Sequence, residues 1–186
     1  HADQVFVTGS FNDWAKASTP LAREENGLWS GNVAAARPGD EYKYRIVSQA
    51  GEWTRVDPYA RECVCSNCSS VVHDPEYDWG TTVFQRADTE SLVVYEMHIG
   101  TFNHKAGDKP GSFTTAIERL AYLKDLGINA VELMPVAEFK GDISWGYNPA
   151  LLFAIESAYG GPTAFRNFIK AAHDLGIAVI LDVVYN

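Results

Sequence analysis

Apolar and polar positions follow two different rhythms along this chain, and the change comes near residue 90. Before it, "QVFVTGSF" (4–11) alternates, and "LWSGNVAAA" (28–36) and "DEYKYRIVS" (40–48) follow as short strand-like runs. Turn residues separate them: Asn26-Gly27, Pro38-Gly39-Asp40 and Gln49-Ala50-Gly51. Short strands at this spacing predict a small β-sandwich over residues 1–80. Pro75, Gly80 and several acids close that region, and 81–90 read as a linker.

From Ser91 the period lengthens. "LVVYEMHIGTF" (92–102) predicts a strand, and "SFTTAIERLAYLKDLG" (112–127) a helix, with Ser112 as N-cap and Gly127 just past its end. "INAVELMPV" (128–136) predicts the next strand. Pro162 then opens a second helix with Phe165, Phe168, Ile169 and Ala172 on one face, and Gly176 ends it before "IAVILDVVYN" (177–186). The joint Asp-Leu-Gly-Ile occurs twice, at 125–128 and 174–177, each time between a helix and an apolar run. Two helix-into-buried-strand joints imply a β-α-β-α-β unit with parallel strands. Such units build doubly wound sheets or (β/α)8 barrels. "GTFNHKAGDKPGSF" after the first strand has no G-x-G-x-x-G opening a helix, which disfavours a dinucleotide site. The segment 91–186 is therefore expected to be the first part of a (β/α)8 TIM barrel. The chain starts at His1 in a strand-like stretch and stops inside a buried run, so it is expected to be a piece of a longer protein.

Composition narrows the partners. The chain has 186 residues, 46% hydrophobic and 21% charged, with a net charge of −9. No apolar run approaches the roughly 20 residues of a membrane span, and no basic stripe is present to meet a phosphate backbone. Neither membrane nor nucleic acid is an expected partner. A neutral ligand such as a sugar suits this surface, and the expected compartment is the cytoplasm. Cys63, Cys65 and Cys68 lie close to His73, but a two-residue step between the first two fits a zinc knuckle poorly. Solvent-facing or redox-incidental thiols are the expectation, with no metal and no cofactor.

Barrel chemistry sits at the C-terminal ends of the strands and in the loops that follow. The connection 138–162 shows no regular period and carries Phe139, Trp145, Tyr147, Phe153 and Tyr159. Trp145 and Tyr147 could stack on pyranose faces, or could pin the loop to the rim. His98 on the first barrel strand could enter a site or be a satisfied core histidine. Glu96 and Glu132 could be catalytic or pair internally. A retaining glycosidase needs two carboxylates about 5 Å apart, and no convincing pair is evident. Asp182, at the tip of the last predicted strand, is the best-placed acid. In the first region Trp14 and Trp53 follow turn signals and could be exposed.

These residues resemble two known families. "VFVTGSFNDW", "GLWSGNVAAARPGDEYKYRI" and "EWTRVDPYAR" are similar to the family 48 carbohydrate-binding module. "VYEMHIGTF", "AVELMPV", "SWGYNPALLFAIESAYGG" and "ILDVVYN" resemble the opening of a family 13 glycoside hydrolase barrel, the α-amylase superfamily. The combination is most like α-1,4-glucan branching enzymes; trehalohydrolases and isoamylase-type debranching hydrolases are the alternatives within enzymes. A glucan-binding module without catalysis is the alternative of another class. The resemblance implies an α-1,4-glucan partner such as glycogen, starch or a maltooligosaccharide. It implies that Tyr147 stacks under the sugar before the scissile bond, flanked by Trp145 and Asn148. It implies that Asp182 supports the site without being the nucleophile, and that Asn186 stands where many amylases place a calcium ligand and branching enzymes often do not. In the module it implies glucan contacts by Trp14, Lys43 and Trp53. The catalytic carboxylates of the family belong to later strands, so none is expected in this segment, and the segment alone is expected to be inactive.

Overall fold

The computed structural model describes residues 1–185 apart from Ala106 and Asp108. Its first half is built on one long central strand. Strand β1 (Gln4–Gly9) lies antiparallel to β4 (Glu41–Ser48), with Gln4 opposite Val47 and Gly9 opposite Tyr42. On the other edge of β4 sit β5 (Gly51–Arg55), through a two-residue hairpin loop, and then β6 (Ser70–Val71). Strands β2 (Ala22–Arg23) and β3 (Trp29–Ser30) form a separate ribbon. The segment leading into β2 is tied to the free edge of β1, where Val7 N–H donates to Thr19 O and Leu21 N–H to Val5 O. The expected β-rich module is present. Its described strands make one curled sheet with a ribbon folded over it rather than two complete layers. The ribbon and sheet enclose an aromatic cleft of about 570 Å³, lined by Phe11, Trp29, Tyr42, Tyr44 and Tyr59 among others.

The second half carries the parallel strands that the periodicity implies. Strands β7 (Val94–Met97), β8 (Ala130–Leu133) and β11 (Ala178–Leu181) pair in the order β11-β8-β7, all parallel. Helices α1 (Ile99–Phe102), α2 (Phe113–Ile117) and α3 (Leu120–Asp125) connect β7 to β8, and α4 (Gly161–Asp174) leads into β11. One core joins helices and sheet. Phe113, Phe168, Leu123, Leu133 and Ile177 are fully buried in it.

The repeated Asp-Leu-Gly-Ile joint has a specific geometry. Gly127 and Gly176 adopt φ of +91° and +71°, the left-handed turn that a Cβ disfavours. In each copy the isoleucine N–H reaches back five residues, Ile128 to Leu123 O and Ile177 to Ala172 O, both at 2.9–3.0 Å. With Gly127 N–H donating to Lys124 O and Gly176 N–H to His173 O, each copy is a Schellman cap. It aims the next residue into the core, where Ile128 and Ile177 are buried. At the other end of the first helical run, Ser112 and Thr115 cap each other reciprocally.

Two features of the barrel segment differ from expectation. The single helix predicted over 112–127 is broken at Glu118–Arg119. The Asn103 amide donates to Thr115 O at 2.6 Å, and Arg119 N–H, which would take that carbonyl in a continuous helix, bonds Ala116 O instead. The connection 138–162 is also not irregular. It contains an antiparallel hairpin of β9 (Ala137–Phe139) and β10 (Pro149–Ile155), whose two register shifts erase the alternation that would have marked it. Two buried carboxylates hold it: Glu156 accepts from Phe139 N–H and Ala158 N–H, and Glu138 from Ser157 N–H.

This hairpin also receives the module. Cys63 and Val56 pack on Leu151 and Ala154, and Tyr59 stacks on Phe153. His73 bonds both Glu62 and Arg166 of α4, Tyr77 donates to Asn167, and Phe84 stacks on His173. The cysteines are not the solvent-facing thiols expected. Cys65 and Cys68 form a disulfide across the tip of a short hairpin, and Cys63 is a buried thiol. Burial and then the neighbouring Glu138 push that thiol far above its ordinary pKa. No helix among the described residues is long and apolar enough to cross a membrane.

Candidate functional site

The C-terminal ends of the parallel strands bring Tyr147 and Asp182 together. Asp182 directly follows β11, and its N–H donates to Leu133 O at the end of β8. Tyr147 comes from the loop between β9 and β10, and its hydroxyl donates to Asp182 Oδ2 at 2.7 Å. That hydrogen bond, followed by partial loss of solvent and the negative field of Asp182, Glu96 and Glu132, raises the Tyr147 pKa. Glu96 and Glu132 are direct partners in the β7–β8 register, so both point to one face of the sheet, the face that Tyr147 overlooks. Their nearness is a matter of register, which the linear sequence does not display.

The loop's other candidates stand differently. Trp145 is 71% exposed at the rim and Tyr147 40%. Asn148 accepts from Ser144 Oγ at 2.5 Å, so it braces the loop's own turn. Gly146 has φ +89°, and a Cβ there would sit 2.1 Å from Pro135 O. The backbone thus lies flat on the end of β8. His98, half-buried at the end of β7, is satisfied on both ring nitrogens by Ser144 O and Thr101 Oγ1. Ser144 and Gly146 were not candidates by residue type, since much of what they contribute is backbone position; Tyr159 was one of the connection's aromatics, but its burial and its hydroxyl contact with His98 come only from the fold. Asn186 lies outside the described residues. Among the described residues no group of three or more His, Cys, Asp and Glu could hold a metal ion.

The family now follows from direct comparison. Residues 95–186 match the alpha amylase catalytic domain model, and residues 1–60 match carbohydrate-binding module 48, the isoamylase N-terminal domain. The chain belongs to the α-amylase family. Its curated relatives include the malto-oligosyltrehalose trehalohydrolase of Saccharolobus solfataricus, 39% identical over 166 residues, covering 89% of this chain and 28% of that protein. They also include the 1,4-alpha-glucan branching enzyme GlgB of Salinibacter ruber, 36% identical over 199 residues, covering 99% of this chain and 32% of that one. A Salmonella typhimurium structure superposes with a TM-score of 0.84 at 36% identity over 98% of this chain and 29% of its own. The catalytic module of the glycogen-degrading pneumococcal virulence factor SpuA superposes with a TM-score of 0.80, at 25% identity over 100% of this chain and 34% of its own. This member of the α-amylase family thus spans about a third of the relatives it matches.

In this family member's module, the three residues with implied glucan contacts do not share a face. Trp53 is opposite Ile46, and Ile46 alternates in phase with Tyr44 and Tyr42, which line the cleft. Lys43 is out of phase with them and opposite Thr8, on the face where Arg45 covers the Phe6 ring. Trp14 is 41% exposed in the turn after β1, with φ +57°.

Proposed function

We propose that this chain is the glucan-positioning part of an α-1,4-glucan branching enzyme. Tyr147 offers its ring beneath a sugar before the scissile bond, and Asp182 holds the tyrosine hydroxyl and shapes the negative floor of the site. The observation that carries the proposal is the Tyr147–Asp182 hydrogen bond at the C-terminal ends of β8 and β11, where barrel enzymes assemble their sites. Trp145, Asn148 and Asn186 complete the implied sugar-contacting set, and Trp14, Lys43 and Trp53 the implied glucan contacts of the module. The reaction is a retaining transfer: an enzyme carboxylate attacks the anomeric carbon as the α-1,4 bond breaks and the 4-oxygen leaves protonated, and a glucan 6-hydroxyl then displaces that carboxylate, giving its proton to the acid/base. It is assigned to a polypeptide of the relatives' length that contains this chain, with the nucleophile and the acid/base on elements beyond those described. The implied compartment is the cytoplasm.

A second reading, with water as acceptor, is favoured by the 39% identity to a trehalohydrolase. Incubation with amylose separates the two. A branching enzyme creates new α-1,6 linkages with few reducing ends, whereas a hydrolase releases reducing ends in step with substrate loss. The 186-residue chain by itself is expected to bind maltoheptaose and to turn over neither amylose nor maltoheptaose. Turnover by the purified chain would overturn the placement of the catalytic carboxylates.

A further inference from the structure

The turn that carries Tyr147 is poorly buried, which raises the question of what holds it. Ile143 is 83% exposed and Trp145 71%, so apolar burial does little for this stretch. Polar anchors take that role, and His98 is the main one. His98 lies 46 positions away from Ser144 in the chain, yet its Nε2 is 2.8 Å from the Ser144 carbonyl. A carbonyl only accepts, so Nε2 bears the proton. Nδ1, 3.0 Å from Thr101 Oγ1, then accepts from that hydroxyl in the neutral ring. The Tyr159 hydroxyl, on a residue 1% exposed, lies 3.1 Å from the same Nε2 and 3.4 Å from Ser144 O, closing a three-membered polar knot. There is no slack around it. A Cβ on Gly100 would fall 3.0 Å from His98 Cε1 and 3.1 Å from the Tyr159 hydroxyl.

We propose that His98 is a positioning residue of the candidate site: by holding the Ser144 carbonyl on the end of β7, it sets where Tyr147 meets Asp182. From that fixed carbonyl, Ser144 Oγ accepts from Gly146 N–H at 3.0 Å and donates to Asn148. Gly146 presses on Pro135 O from the β8 side. The turn is therefore pinned to two strand ends, and the next residue, Tyr147, reaches the third strand through Asp182. Release of the β7 anchor leaves one pin and lets the tyrosine ring swing off the carboxylate. The inference rests on the proposed sugar site but concerns how that site is held.

The test compares His98→Gln, His98→Asn and His98→Leu. Glutamine can place an amide N–H near the position of Nε2; asparagine reaches only the Nδ1 position; leucine does neither. Tyrosine labelled with 13C at Cζ reports the Tyr147 hydroxyl titration by NMR, with the resonance identified by its loss in Tyr147→Phe. In the parent and His98→Gln, Tyr147 titrates above the ordinary tyrosine range. In His98→Asn and His98→Leu it returns to that range, and maltoheptaose binding measured by calorimetry weakens about tenfold. An unshifted Tyr147 titration in folded His98→Asn and His98→Leu would overturn the proposal. So would failure of all three variants to fold, because His98 would then be a determinant of the fold rather than of the site. Tyr147→Ala keeps the two ideas separate: if it binds maltoheptaose as tightly as the parent, the sugar-site reading fails while the titration result still stands.

Discussion

Glu156 should make this protein less stable as pH rises through neutrality. It is fully buried beneath the β9–β10 hairpin, and burial raises its pKa from the ordinary 4.5 to about 7. The bonds from Ala158 and Phe139 N–H pull it down, and the charges of Glu138 and Asp142 push it further up. The other groups coupled to it, Cys63 and Tyr159, supply no positive charge to offset the carboxylate. Because the folded state holds the proton more tightly than the unfolded one, this contribution is fully present below pH 4.5. It is lost as pH climbs to about 7. At 1.36 kcal/mol per pH unit, the interval between the two values corresponds to about 3 kcal/mol. Urea unfolding at half-unit steps from pH 4.5 to pH 8, on the parent and Glu156→Gln, isolates it, since other carboxylates titrate alike in both. Glutamine cannot accept from both N–H groups, so the variant starts lower by about 1–3 kcal/mol. The parent's advantage over the variant should then shrink by about 3 kcal/mol across the window, moving the relative midpoint by about 1–2 M urea. A difference curve that is flat, or that rises with pH, would refute the argument that desolvation governs this group.

Gly146→Ala should displace the Tyr147 turn, because the added methyl would meet Pro135 O and the residue would be forced to keep φ near +89°. We expect about 2–4 kcal/mol of lost stability or a freed turn; amide proton exchange at position 146 and at Tyr147 distinguishes these outcomes, and wild-type protection would contradict the contact. In the module, Trp53 and Lys43 lie on opposite faces of the β4–β5 pair. Retention on insoluble amylose should therefore respond to Trp53→Ala or to Lys43→Ala but not equally to both; equal losses would mean that the faces communicate or that the register is different.

Much of the barrel segment was legible before any coordinates because its signals are local. A Schellman cap involves six consecutive residues, so Asp-Leu-Gly-Ile announced both helix ends and the burial of Ile128 and Ile177. The Ser112 cap is likewise contained in four residues. The identity of the candidate pair, Tyr147 and Asp182, came from motif resemblance, and their meeting at 2.7 Å from positions 35 apart came only from the fold.

What the sequence by itself determined is the order and parallel sense of the three barrel strands and the helix ends that lead into the last two, since each depends on periodicity and on caps within one turn of chain. Tertiary structure alone decided the rest. Asn103 broke a helix that its own sequence would have continued. Bulges and the buried Glu138 and Glu156 made a hairpin out of a stretch without alternation. A two-residue hairpin loop placed Lys43 and Trp53 on opposite faces, and His98 found a carbonyl 46 residues away. Each of these turns on a hydrogen bond or a register between distant segments, where one residue of slip changes the face and no local pattern records the partner.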